Sequence, residues 1–147
     1  MFSIYNYFKN IFYRKEDTRF YYLSLIEEKG KETGNAFSIH GLWPQNSKTD
    51  YPIYCKKVDF SMKALKPIIG ELNKYWYSLE NINEEFWKHE YLKHGSCMFT
   101  PLTELQYFSK TLLLYHKAIA QNLCSRYPVK DGKCLIPVDL DFHFITN

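Results

Sequence analysis

Apolar and polar positions along the chain change period several times, and each change marks an element. Residues 19–26, RFYYLSLI, are a run of aromatic and branched apolar side chains that predicts a buried strand. EEKGKETGN, polar and carrying two glycines, predicts a connection, and AFSIHGLW predicts a second strand that runs into a turn at Gly41 and Pro44. Gln45–Tyr54 is rich in Asn, Ser, Asp and Pro and reads as a loop, while residues 60–77 carry a helical pattern interrupted by Pro67 and Gly70. A further helix has clear punctuation: Asn81 or Asn83 as its cap, Glu84 and Glu85 in the first turn, and Gly95 just past its end. Thr100-Pro101 predicts the start of another helix, with Leu102, Leu105, Phe108, Leu112 and Ile119 at helical spacing and Leu112, Leu113 and Leu114 as core. At the end, KCLIPVDLDFHF alternates Val138, Leu140, Phe142 and Phe144 against Asp139, Asp141 and His143, which predicts a half-exposed strand. The pattern is that of an α+β domain over residues 19–147, an antiparallel sheet with helices packed around it, preceded by a leader of undefined structure over residues 1–18.

At 147 residues the chain is long enough for one domain with a real core. Hydrophobic content of 46% and charged content of 24% exclude disordered and fibrous classes. No apolar run approaches the roughly 20 residues of a membrane helix, so no membrane span is expected. Aromatic residues make up 18% of the chain, which implies an aromatic core or surfaces on which flat ligands stack. A net charge of +3 favours an anionic partner only mildly, and Arg14, Arg19 and Arg126 leave little for reading base edges in a DNA groove.

Cysteines stand at 55, 97, 124 and 134, with no C-x-x-C pair, so neither a zinc knuckle nor a thioredoxin-like motif is expected. The even count reads as two disulfides in an oxidising compartment. The first twenty residues lack a basic n-region, an unbroken apolar stretch and a small-residue cleavage site, so no signal peptide is expected there.

The chemistry concentrates in two short segments, FSIHGLWP with His40 and FWKHEYLKHGSC with His89 and His94. On a helix with His89 at zero, Lys93 falls at roughly 40°, Phe86 at roughly 60°, Glu90 at roughly 100° and His94 at roughly 140°. One face then carries two imidazoles, a carboxylate, an ammonium and a phenyl ring, while Trp87 and Tyr91 turn toward the core. A solvated amphipathic face is the plain alternative, but so many ionisable groups on one stripe are costly unless they act on something. Zinc is the sharper rival. A metalloprotease helix needs histidines at i and i+4, whereas His89 and His94 are five apart and diverge, so no metal and no cofactor is expected.

RNA cleavage by internal transesterification fits each part of this set. The 2′-OH must lose a proton, the 5′-oxygen must gain one, and negative charge builds on phosphorus. Two imidazoles, one neutral and one charged, serve the proton transfers; Lys93 and a further histidine serve the charge; a ring stacks on a splayed base. Glu90 on the same face predicts imidazoles held toward their protonated form and an optimum on the acidic side of neutral.

Ile39-His40-Gly41-Leu42-Trp43-Pro44 and the segment from Phe86 to Cys97 resemble the two active-site segments of the ribonuclease T2 family, the metal-independent endoribonucleases that include the plant self-incompatibility ribonucleases. The resemblance implies an endoribonuclease that acts on single-stranded RNA through a 2′,3′-cyclic phosphate to 3′-phosphate ends; a 2′-OH nucleophile excludes DNA as a substrate, and stacking on Trp43 and Phe86 predicts broad base specificity. It implies His94 as general base, His40 as general acid, His89 against the phosphate, and Glu90 and Lys93 at the transition state. Trp43 and Phe86 match base-contacting aromatics. Cys55 matches the partner of Cys97, and Cys124 and Cys134 match the family's C-terminal pair. A monomer and a secreted or endolysosomal setting are implied as well.

The chain departs from the family in several places. It is shortened before FSIHGLWP, where an early Gln-Trp-Pro and a cysteine are replaced by Ile26-Glu27-Glu28, and again between the Thr100 helix and Leu123-Cys124. Gln45 stands where an Asp or Asn often helps read the base, and Tyr91 replaces a common Trp. The rival readings are a catalytically impaired RNA-binding or signalling protein that keeps the fold, and a zinc-stabilised protein. His116 reads as surface or packing, and His143 as the polar side of the last strand.

Overall fold

The computed structural model describes residues 15–29 and 34–146. Most of the expected leader and part of the polar connection therefore lie outside the described residues. Strand β1, Phe20–Glu27, is central in a three-stranded antiparallel sheet, with β2, Phe37–Gln45, on one side and β3, Lys133–Val138, on the other. Alternation decides its faces. Tyr21, Leu23 and Leu25 from β1, with Cys134, Ile136 and Val138 from β3, are fully buried against the helices.

β2 does not turn at Gly41 and Pro44 but continues to Gln45. As an edge strand it tolerates Pro44, whose missing N–H costs no ladder bond on the open side. Its register is irregular: Ser24 faces Gly41 and Leu25 faces Ile39, which leaves His40 as an extra residue. Ile39 and Leu42 are both fully buried although three apart, which strict alternation forbids. The bulge at His40 resolves the conflict and re-aims the strand beside the site.

Residues 62–68 form a 3-10 turn that leads into helix α1, Ile69–Tyr75. Helix α2, Asn83–Lys93, starts after Ile82 with no side-chain cap. Asn83 instead accepts from the Ser78 amide at 2.8 Å and donates to Asn73 at 3.0 Å, which ties the preceding loop to α1. Gly95 is not a left-handed helix stop: it lies in a short 3-10 turn after His94. A Cβ there would sit 2.5 Å from the Tyr91 ring, so the glycine serves close packing.

Helix α3, Glu104–Ala120, begins at a Thr103 capping box and not at Thr100-Pro101, because Gln106 three residues on returns the bond to the Thr103 amide. Its buried face carries Tyr107, Phe108, Thr111, Leu112, Leu114, Tyr115 and Ala118. Leu113 and Ile119 are exposed, since three successive leucines cannot all face one way at about 100° per residue. With Leu72, Trp76 and Trp87, the buried Tyr107, Phe108, Leu112, Leu114, Tyr115 and Ala118 fill an aromatic core.

β3 ends at Val138, short of the expected length. Asp139 Oδ1 accepts from the amides of Asp141 and His143 and bends the chain, and Phe142 takes a left-handed conformation. His143 therefore lies in a turn and not on a strand.

Disulfides join Cys55 to Cys97, with Cα atoms 5.1 Å apart, and Cys124 to Cys134, with Cα atoms 5.9 Å apart. The sequence separations of 42 and 10 residues correspond to about 4 and about 3 kcal/mol on a chain-entropy model. The first bond acts with two hydrogen bonds, Tyr54 N–H to the Lys93 carbonyl and Cys55 N–H to Ser96 Oγ, to hold the loop after β2 against the end of α2.

Candidate active site

Two elements meet at the site. The bulged part of β2 supplies His40 and Trp43; one face of α2 supplies Phe86, His89, Glu90 and Lys93; and His94 is the C-cap residue of α2. The centre is the Glu90 carboxylate, 2% exposed. Its Oε1 lies 3.4 Å from His40 Nε2, and its Oε2 lies 3.9 Å from His94 Nε2. Trp43 Nε1 donates to Oε2 at 3.0 Å. One acid thus stands between two imidazoles and orients an indole.

Glycine makes this approach possible. A Cβ at Gly41 would collide with the Glu90 carboxylate and would lie 2.6 Å from Trp43 Nε1. Glycine within a strand weakens it, and here it marks where a buried side chain from α2 presses against the backbone.

Rings complete the constellation. Trp43 lies 4.9 Å edge-on from His40 and 5.3 Å from His94, and Phe86 lies 5.8 Å from His40. A cavity of about 380 Å³ opens over His40, Trp43, His89, Glu90, Lys93 and His94. Phe86 borders His40 but does not line this cavity. The disulfides lie outside it, as do His116, which pairs with Glu71 at 3.3 Å, and His143, which pairs with Asp139 at 3.8 Å.

Electrostatics separate the members of the set. Burial pushes His94 down to about 4, and Lys93, His40 and His89 push the same way, while Glu90 opposes them. The expectation that Glu90 would hold its neighbouring imidazoles protonated is therefore wrong for His94, because desolvation outweighs the carboxylate. His94 is neutral at neutral pH and can accept a proton. Among the described residues neither His94 Nδ1 nor His40 Nδ1 has a hydrogen-bond partner. Among the described residues no group of three or more His, Cys, Asp or Glu is arranged to hold a metal ion.

The structure also brings in residues that the chain pattern did not point to. Tyr22 sits opposite Trp43 in the β1–β2 register, and Lys133 and Leu135 arrive on β3. Lys48, Thr49 and Tyr51 come from the loop after β2, next to Gln45. The Lys133 ammonium stands 5.6 Å from the centre of the Trp43 ring. Strand pairing places Tyr22, Lys133 and Leu135 here, so no spacing within the sequence could have marked those three.

The chain is similar to known proteins in both sequence and fold. Ribonuclease DdI of Dictyostelium discoideum is 37% identical over 127 residues, which cover 83% of this chain and 55% of that protein. The ribonuclease-like storage protein of Panax ginseng is 37% identical over 86 residues, 57% of this chain and 36% of that protein. The chain thus spans about half or less of the length of these relatives. Among solved structures, RNase NT in complex with 5′-AMP superposes with a TM-score of 0.67 at 21% identity, covering 88% of this chain and 90% of that one. The RNase-related protein from Calystegia sepium gives 0.66 at 17% identity, covering 88% and 90%. These likenesses show the α+β fold. The sequence model of the ribonuclease T2 family matches residues 12–131, and the chain belongs to that family.

Proposed function

We propose that the chain is an endoribonuclease that cleaves single-stranded RNA by transesterification. The observation that carries this reading is the Glu90 carboxylate held between His40 at 3.4 Å and His94 at 3.9 Å, at the floor of an open cavity. His94, neutral at neutral pH, takes the proton of the 2′-OH. The 2′-oxygen attacks phosphorus, the bond to the 5′-oxygen breaks, and protonated His40 gives that oxygen its proton. Lys93 and His89 face the cavity and act on the charge that builds at phosphorus. Water then opens the 2′,3′-cyclic phosphate with the two imidazoles in exchanged roles, leaving a 3′-phosphate. No outside nucleophile is needed for the first step, because the 2′-OH is tethered to its target.

Trp43 offers a ring for one base, and Phe86, beside His40, offers a ring for the next. Such stacking contributes about 1–3 kcal/mol per base with little sequence preference, hence broad base tolerance. DNA lacks the nucleophile and is not cut. We read the domain as acting as a monomer.

The test is RNA degradation with and without EDTA. Equal rates with and without chelator are expected, and His40→Ala and His94→Ala should each lower kcat by at least about 100-fold. Full activity in either variant, or cleavage of single-stranded DNA, defeats the mechanism. The name of the ginseng relative keeps a second reading open, a fold retained without turnover; an inactive wild-type protein that still binds RNA would establish it.

A further inference from the structure

The cavity over His94 does not end at Trp43. A second cavity of about 570 Å³ shares Trp43, Lys133 and Leu135 with it and continues to Tyr127, Lys130 and Asp131. The two form one groove, with the indole as the divide and the Lys133 ammonium above it.

The far wall is built in an unusual way. Lys130 and Lys133 face each other across a two-residue turn, each amide donating to the other's carbonyl at 2.9 and 3.0 Å. Asp131 and Gly132 between them have φ of 54° and 74°, the left-handed pair that a tight hairpin turn requires. The Glu27 amide donates to the Gly132 carbonyl at 2.9 Å and anchors the turn to β1. Residues opposed in this way project to one side, and like charges so placed repel. One carboxylate, Asp131, borders the same wall. The remaining repulsion is offset when an anion lies across the lysines. Tyr127 supplies a ring beside them, and its hydroxyl donates to the Ile145 carbonyl at 2.5 Å, which fixes its position. Cations spaced beside an anchored ring are what a single strand of nucleic acid engages: backbone on the charges, base on the ring.

We propose that the groove from Trp43 across Lys133 to Lys130 and Tyr127 is a further nucleotide subsite, which holds RNA beyond the nucleotides that flank the cleaved bond. The proposal rests on the reading of the chain as RNA-cleaving. Substrate length, more than base identity, then sets affinity.

The experiment compares a dinucleotide with a hexauridylate, read both as kcat/KM and as binding of the non-cleavable 2′-O-methyl forms, in the wild-type chain, Lys130→Ala and Lys130→Arg. Lys130 is exposed, so its replacement does not threaten the fold. Lys130→Ala should weaken the hexamer relative to the dinucleotide by on the order of fivefold and lower the slope of log affinity against log salt by about 0.7, one phosphate contact; Lys130→Arg should restore most of both. Equal losses on both lengths, or none on the hexamer, overturn the subsite. A wild-type chain that binds the hexamer through Lys130 but cuts nothing refutes the cleavage reading and leaves the groove standing.

Discussion

Helix α2 separates two regions built from similar side chains. Behind it, Trp87 and Tyr91 join Trp76, Tyr107 and Phe108 in a dry aromatic cluster, where Trp87 Nε1 donates to the Trp76 carbonyl and the Tyr107 hydroxyl to the Leu42 carbonyl. In front of it, Phe86 and Trp43 surround His40, Glu90 and His94, and both histidines keep an Nδ1 atom with no partner among the described residues. Rings behind the helix are locked by packing and hydrogen bonds. Rings in front surround ionisable groups that line a cavity. Trp76 Nε1 in the rear cluster also lacks a partner among the described residues, so unpaired atoms do not separate the two regions. Ionisable groups do: two imidazoles and a carboxylate lie beside the cavity in front, and aromatic rings pack behind.

The contrast can be broken from behind. Phe108 is fully buried, 4.9 Å from Trp76 and 5.2 Å from Tyr107. Phe108→Ala should cost about 3–5 kcal/mol in urea denaturation while kcat per folded molecule stays unchanged. A large loss of kcat in the folded fraction would mean that the two regions are not separable.

It can be sharpened with pH. The folded-state value of His94 lies below its ordinary one, at about 4 against 6.5, so the unfolded chain takes up a proton first as pH falls. Stability contributed by neutral His94 is complete above about pH 6.5 and declines as pH drops toward about 4, by up to roughly 3 kcal/mol. His94→Asn should flatten that decline in urea midpoints measured across this window. An identical decline in both proteins would show that His94 is not what titrates.

The smallest intervention is one methyl group. Gly41→Ala should displace Glu90 or the strand and lower kcat by about tenfold, with a modest change in Tm, because the carboxylate would no longer sit between both imidazoles. Unchanged kcat would show that the contact has slack.

Much of the architecture was legible from local pattern. The inner face of β1, the helical turn that carries His89, Glu90 and Lys93 together, and the α+β class follow from side-chain period, which depends on residues a few positions apart. The two motif-bearing segments were legible as well, because chemistry-bearing residues crowd into a dozen positions. Boundaries were less so: Thr103 won over Thr100-Pro101 through a capping partner three residues on, and Asp139 ended β3 where alternation alone ran to Phe144.

Other features answer only to strand pairing and packing. His40 became the extra residue of a bulge because Ile39 and Leu42 must both reach the core. Gly41 serves not a turn but the carboxylate of a helix some fifty residues away, and Lys133 reaches Trp43 only because β3 pairs with β1. Glu90 could be placed on a helix face from its neighbours, but what lies opposite that face is a contact between distant segments. Local period sets which side of an element a residue occupies; only the packed fold sets what that side meets.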